Sequence, residues 1–250
     1  MITGSDLDHD DSSAGEGPLI VAPALWSRTE DGGSWLTPEE RGILASVATV
    51  VRLQKGETIY KQGQQANALF NIAKGVAKSH IRQSEKKTKI TGFQFPNDIV
   101  GIAQNGKYMN SAEAVTSIIL YRIYGRSLEK ILEGSPGITI KLIRKLWLDL
   151  HANHCYTIVL KKRHAVSKVA WFIQDIGRLQ RSSANNIDEI YLAMNRLDIA
   201  DYLGISPEAV SRSFRSLIDR GAIHLRDRRH VQIVNEADLE AVASEFVIKL

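Results

Sequence analysis

Between Asn195 and Gly221 the chain runs NRLDIADYLGISPEAVSRSFRSLIDRG, and the stop signal of one helix and the start signal of the next lie almost back to back. Leu197, Ile199, Ala200 and Leu203 fall at amphipathic spacing, and Gly204 stands where a helix ends and the backbone needs a positive φ. Ser206, Pro207 and Glu208 then supply an N-cap, a first-turn proline and an acid at the positive end of the helix dipole. Val210, Phe214, Leu217 and Ile218 form the apolar stripe of the second helix, and Glu208, Ser211, Arg212 and Arg215 the polar one. Small Ala200, Gly204 and branched Val210 allow a close, steep crossing, which is helix-turn-helix geometry. A plain helical hairpin with a solvated charged face is the alternative. Against it, Ala222 to Leu225 and Val231 to Val234 alternate as strands around the basic turn Arg226, Asp227, Arg228, Arg229, His230. A β-hairpin wing of this kind, with three arginines, suits phosphate contacts beside a DNA groove.

With 250 residues there is room for two domains. No apolar run approaches the ~20 residues of a spanning helix, and the N-terminal segment is too acidic for a signal or transit peptide, so the expected location is the cytoplasm. The single cysteine, Cys155, excludes an internal disulfide framework and any four-cysteine metal or iron–sulfur site within one chain. The net charge of +4 hides a split: Asp6, Asp8, Asp10, Asp11, Glu16, Glu30 and Asp31 precede Gly33 against only Arg28, leaving a basic remainder suited to nucleic acid.

Residues 1–33 lack periodicity and are expected to be a disordered acidic tail, although apolar Leu19 to Trp26 could fold back onto the body. Thr37 with Glu40 makes a capping box for a helix to about Ala48. Short apolar runs then recur from Val50 to Tyr124, separated by turn formers such as Gly56, Gly63, Gly75 and Pro96–Asn97–Asp98, the rhythm of a β-barrel or roll. A short helix at Ser127 to Leu132 and a long one from Ile138 to about Arg163 follow. In the long helix Ile143, Leu146, Leu150, Asn153, Thr157 and Leu160 form a heptad seam that calls for a partner helix, while Leu142, Trp147 and Ile158 lie off it and are available to the roll. Ala165 to Leu179 is amphipathic, Ser182 to Asn186 a polar loop, and Asn235 caps a last helix to Phe246. The expected fold is α+β: a sensor roll over residues 34–136, a dimerisation helix over 137–163 and a winged helix-turn-helix over 164–250.

With these parts in order, the chain from about Ser34 to Leu250 resembles the Crp/Fnr family of dimeric bacterial transcription regulators. The resemblance is carried by KGETIYKQGQQANALFNIAKG (Lys55 to Gly75), FPNDIVG (Phe95 to Gly101), the long helix, and LDIADYLGISPEAVSRSFRSLIDRGAI. It implies a double-stranded β-helix roll of the cyclic-nucleotide-binding kind, a homodimer, double-stranded DNA as ligand and RNA polymerase as partner. Glu208, Ser211 and Arg212 match the family's Glu-x-x-Ser-Arg pattern on its Fnr-like side, which implies palindromic sites with TTGA-type halves. Arg212 would donate to a guanine edge, Glu208 accept from a base amino group and Ser211 contact thymine or phosphate, with Arg215, Ser206, Arg228 and Arg229 at the backbone.

The departures bear on regulation. Cyclic-nucleotide-responsive members place Gly-Glu-Leu after their turn and Arg-Ser before the next strand, whereas this chain has Gly101, Ile102, Ala103 and Asn110, Ser111. Without the glutamate and the guanidinium, recognition of the cyclic phosphate is lost, so cyclic AMP is disfavoured and Ile102, Asn110 and Ser111 mark a possible pocket for another effector. The tail lacks the cysteines of an Fnr cluster, and Tyr121 stands near the place of the internal one. His151, His154 and Cys155 have i, i+3 and i, i+4 spacing compatible with a metal, but no further ligand lies nearby in sequence. His80 is the sole histidine of the roll available to a haem. No nucleophile–base pair or phosphate loop stands in a convincing context. The reading is therefore a regulator with no cofactor and no enzymatic activity, with effector gating by a small molecule or haem as the near alternative and a metal-dependent enzyme on His151, His154 and Cys155 as the remote one.

Overall fold

The computed structural model describes residues 36–84, 87–181 and 189–244. The acidic segment of residues 1–33, with Leu19 to Trp26, and the loop of Ser182 to Asn186 lie outside the described residues. Helix α1 (Pro38–Val47) starts on the expected capping box, with the Thr37 hydroxyl accepting the Glu40 amide and the Glu40 carboxylate accepting the Thr37 amide. Ten short strands follow: β1 (Ala48–Leu53), β2 (Thr58–Tyr60), β3 (Ala68–Lys74), β4 (Ala77–Ser84), β5 (Lys87–Gln94), β6 (Ile99–Val100), β7 (Ala103–Gln104), β8 (Lys107–Tyr108), β9 (Ser111–Ala114) and β10 (Ile118–Tyr124). They form two four-stranded sheets, β1-β10-β3-β6 and β2-β9-β4-β5, with β7-β8 as a separate ribbon, and every pairing is antiparallel.

Alternation sets what lies between the sheets. Phe70, Ile72, Ile118 and Leu120 point inward from one sheet, and Tyr60, Ala77, Ala112 and Ala114 from the other. Three alanines beside Tyr60 leave space for large rings, and the rings of Tyr60, Phe70 and Tyr108 fill it. Gly75 turns the chain between β3 and β4 at φ +89°, where an added Cβ would lie 2.3 Å from the Ser117 carbonyl oxygen, so both backbone angle and space demand glycine.

Helices α2 (Gly125–Gly134) and α3 (Pro136–Leu160) close the roll, with Ile131 and Ile138 joining Leu36, Leu44, Ile99 and Ile123 in a second core. Lys145 on α3 is 4 % exposed and pairs with Asp98 at 3.3 Å and Asp149 at 2.5 Å. Asp98 also accepts the Phe95 amide at 2.9 Å, so the FPND turn and α3 share one buried carboxylate. The remaining elements are α4 (Ala165–Arg181), β11 (Ile190–Tyr191), α5 (Arg196–Leu203), α6 (Pro207–Asp219), β12 (Ile223–Leu225), β13 (His230–Ile233) and α7 (Glu236–Ser244). Their core, centred on Val169, Phe172, Ile173, Ile199, Leu203, Val210, Phe214 and Leu217, also takes in Val76, Phe95 and Val115 of the roll. The wing is a three-stranded sheet, β11-β13-β12; two-residue β11 had no periodicity to announce it.

Candidate nucleic-acid interface

The joint between α5 and α6 is built as its sequence dictates. Asn195 caps α5 by accepting the Asp198 amide at 2.8 Å, and Gly204 ends it in the left-handed region (φ 64°, ψ 42°). The Ser206 hydroxyl accepts the Ala209 amide at 3.1 Å, and Pro207 fills the first helical position of α6. On α6, Val210, Ser213, Phe214 and Leu217 are buried, and the Ser213 hydroxyl donates to the Ala209 carbonyl at 2.7 Å. The Arg196 guanidinium lies 3.2 Å from the Phe214 ring centroid; burial lowers its pKa to about 10, which leaves it cationic at neutral pH.

The opposite face of α6 is exposed along Glu208, Ser211, Arg212 and Arg215. The helix's own first-turn amide at Glu208, and then the Ser206 hydroxyl, hold the Glu208 carboxyl below the usual carboxylate range, so it is an ionised acceptor. Ser211 donates to the Pro207 carbonyl at 3.1 Å, and Arg215 forms a loose exposed pair with Asp219 at 3.6 Å. Arg212 makes no hydrogen bond or ion pair among the described residues and projects freely from the centre of the face.

The three wing arginines, alike in sequence, differ in structure. Arg226 pairs with Glu189 at 2.9 Å, and Arg229 donates to the Tyr191 hydroxyl at 3.0 Å. Asp227 accepts the amides of Arg229 and His230 at 2.7 and 3.0 Å and meets His230 Nδ1 at 2.8 Å; these bonds, the Arg229 amide foremost, pull its carboxyl down to about 2. Arg228 is exposed and has no such partner among the described residues. Glu189 and Tyr191 were not legible as wing residues, because only the pairing of β11 with β13 brings them there.

Along α3 the exposed apolar residues extend beyond the expected seam. Ile143 and Leu150 are 60 % and 59 % exposed, but so are Trp147 at 65 % and Ile140 at 59 %, with Ile158 and Leu146 less so. Trp147 and Ile158, expected to serve the roll, therefore belong to the open stripe, while Leu142 does pack against the second core. Asn153 bonds back to the Asp149 carbonyl at 2.8 Å and Thr157 to the Asn153 carbonyl at 2.9 Å, so both are engaged within their own helix. Leu160 is half-buried, and its Cδ2 comes within 4.0 Å of where a Gly204 Cβ would lie. A stripe spaced four-three from Ile143 through Trp147 to Leu150 stays on one side at about 100° per residue, whereas Leu160 lies round the helix toward α5.

The roll does not gather Ile102, Asn110 and Ser111 into one pocket. Tyr60 stacks on Tyr108 with centroids 4.2 Å apart and on Phe70 at 5.8 Å, filling the interior. The Tyr60 hydroxyl accepts the Gly101 amide at 3.0 Å and donates to Asn110 Oδ1 at 3.1 Å, and burial pushes its pKa up to about 12. Ile102 is 49 % exposed, while Ser111 faces outward and accepts the Gln62 amide at 3.0 Å. His80 also faces away from the interior, on the outer side of β4 with Lys78 and Arg82. On α3, His151 stacks on Trp147 and lies 3.8 Å from Cys155 Sγ; among the described residues no three His, Cys, Asp or Glu side chains converge as metal ligands. None of the described helices is long and apolar enough to cross a membrane.

Comparison with known proteins places both halves. Residues 50–135 match the cyclic nucleotide-binding domain family and residues 167–242 the Crp-like helix-turn-helix domain family. The transcriptional activator protein anr of Pseudomonas aeruginosa is 27 % identical over 211 residues, covering 83 % of this chain and 86 % of that protein. The nitrogen fixation regulation protein FixK of Bradyrhizobium diazoefficiens is 28 % identical over 196 residues, covering 78 % and 81 %. The solved structure of FixK2 from Bradyrhizobium japonicum superposes with a TM-score of 0.74 at 25 % identity, over 80 % of this chain and all of that one.

Proposed function

We propose that this chain, which belongs to the Crp/Fnr family of DNA-binding transcription regulators, acts in the cytoplasm as a homodimer on palindromic TTGA-type sites and does not require cyclic AMP. The observation that carries the reading is the exposed face of α6, where Glu208, Ser211, Arg212 and Arg215 are held in order by a helix whose other side is fully buried. Arg212 would donate two bonds to the O6 and N7 of guanine, Glu208 would accept from a cytosine or adenine amino group, and Ser211 would contact thymine or phosphate. Ser206, Arg215 and Arg228 would hold backbone phosphates, and Arg229 would do so once parted from Tyr191. Homodimerisation through α3 is supported by its open apolar stripe, which a two-fold axis would bury against its own copy. Independence of cyclic AMP is supported by the Tyr60 ring, which occupies the roll interior and whose hydroxyl engages the Gly101 amide. RNA polymerase is the partner proposed by analogy with the family.

Selection of bound sequences from random DNA by the purified protein, with no ligand added, tests this. Recovery of a palindrome with TTGA-type halves about 10 base pairs apart is the expected result. Recovery of an asymmetric consensus, or of none, overturns it.

A further inference from the structure

The two sheets of the roll treat their outer faces differently. On the β2-β9-β4-β5 sheet, Ala77, Ala112 and Ala114 point inward, so His80, Arg82, Ser111 and Glu113 point outward. A register shift between Thr58 and Tyr60 lets Tyr60 enter the core while Thr58, opposite Glu113, joins the outer face. The turn after β2 rises beside these residues, and a groove of about 550 Å³ results, lined by Thr58, Lys61, Gln62, Gln64, His80, Arg82, Ser111 and Glu113.

The wall of this groove is fixed by side chains. Gln62 accepts the Arg82 amide at 2.8 Å while its own amide donates to Ser111, and Gln64 accepts the Lys61 amide at 2.9 Å. The Lys61 ammonium and the Arg82 guanidinium make no ion pair among the described residues, which leaves two cations facing one groove. The His80 ring is half-buried without a hydrogen bond among those residues, and burial lowers its pKa, so at neutral pH it offers one donor and one acceptor. Glu113 is the single carboxylate of the lining. Two uncommitted cations with one carboxylate and a neutral imidazole match a ligand that carries a phosphate and hydroxyl groups together.

We propose that this outer groove binds a small phosphorylated polyol, of the sugar-phosphate class, with Lys61 and Arg82 on the phosphate and Glu113 and His80 on its hydroxyls. The groove lies on the opposite side of the sheet from the Tyr60-filled interior, so the two are separate. It also adjoins the DNA-binding half: the Lys78 ammonium stands 3.6 Å from Glu113 and 3.2 Å from Asp198 on α5.

Calorimetric titration of the full chain with ribose 5-phosphate, inorganic phosphate and ribose decides the matter. Ribose 5-phosphate is expected to bind saturably and more tightly than either fragment. Arg82→Ala, at an exposed position where the fold tolerates truncation, should weaken it by about tenfold, the loss of one charge-assisted contact. Glu113→Gln should weaken ribose 5-phosphate and leave inorganic phosphate unchanged. Absence of saturable binding, or binding that both variants leave intact, overturns the site, and equal affinity for inorganic phosphate overturns the sugar-phosphate assignment. Each of these failures would leave the DNA-binding reading standing, because neither residue lies on α6 or the wing.

Discussion

The exposed face of α6 and the interior of the roll are both rich in groups able to bind a ligand, and they differ in what those groups already hold. In the roll, the Tyr60 hydroxyl is bonded twice, to the Gly101 amide and to Asn110, and its ring stacks on those of Tyr108 and Phe70. On α6, Arg212 makes no hydrogen bond or close ion pair among the described residues, only a longer-range attraction to Glu208, and Arg215 has only an exposed pair at 3.6 Å. Groups committed to one another stabilise the fold, and groups left uncommitted on a rigid frame are available to a partner. Whether this chain has an interior pocket depends on the side chains that stand there, and around Tyr60 they are committed to one another.

The sharpest break of this contrast would come from emptying the interior. Tyr60→Ala should cost about 3–5 kcal/mol, the loss of a buried ring together with the cavity it leaves. Tyr60→Phe keeps the ring and strips the Gly101 amide of its acceptor, at about 1–3 kcal/mol. Denaturant unfolding of the variants checks both values, and a Tyr60→Ala protein as stable as its parent would show that the interior is not held by this ring. Cyclic AMP should leave the melting temperature of the parent unchanged.

A second test sets the open stripe of α3 against the seam expected from heptad counting. Leu150→Asp should abolish the dimer at working concentrations, since two copies of a leucine worth ~1.5–3 kcal/mol each lose their burial. Asn153→Ile should leave it unchanged, because Asn153 is engaged with its own helix at the Asp149 carbonyl. Sedimentation of the two variants reads this directly; a tighter dimer with isoleucine would return Asn153 to the seam.

On α6 the expected effect is smaller in energy and opposite in kind. Arg212→Ala should leave stability within about 0.5 kcal/mol, as truncation of an exposed side chain without hydrogen bonds does. It should remove about 1–3 kcal/mol of discrimination at one base pair, seen as relaxed preference in competition binding. Unchanged sequence preference would remove Arg212 from base reading.

These cases show which features were legible in the sequence. The helix-turn-helix was, because its caps Asn195, Gly204, Ser206 and Pro207 lie within thirteen residues and each acts locally. The rhythm of the roll was too, since alternation and turn glycines are short-range signals. What fills the roll was not: Tyr60 meets Tyr108 across 48 positions, and periodicity says only that both point inward. The apolar face of α3 was legible, because three-four and four-three spacings through Ile143 and Leu150 are both apolar and Leu146 and Trp147 are both exposed, whereas the approach of Leu160 to Gly204 of α5 has no sequence signal. Nothing in the sequence singles out Asp198 and Asp201, yet they meet Lys78 at 3.2 Å, Lys89 at 3.4 Å and the Ile90 amide at 2.7 Å, contacts that exist only because the roll and α5 touch.

The wing lies between the two extremes and gives the finest test. Arg226 and Arg229 are committed to Glu189 and Tyr191, while Arg228 is not, so Arg228→Ala should lower DNA affinity evenly across sequences and reduce the salt slope by about 1. Arg229→Ala should do less of this and loosen the wing more. Asp227 organises that turn, and its pKa of about 2 sets the pH range over which it acts. Because the folded value is depressed, the unfolded chain binds the proton first; the contribution of Asp227 is complete above about pH 4 and is lost as pH falls through its folded pKa. Asp227→Asn should flatten the fall in melting temperature over that acid range and speed exchange of the Arg229 and His230 amides at neutral pH, with the α6 amides unchanged. Equal protection of the Arg229 amide in both proteins would mean that the hairpin strands β12 and β13 hold the turn unaided, and that Arg228 owes its position to them and not to Asp227.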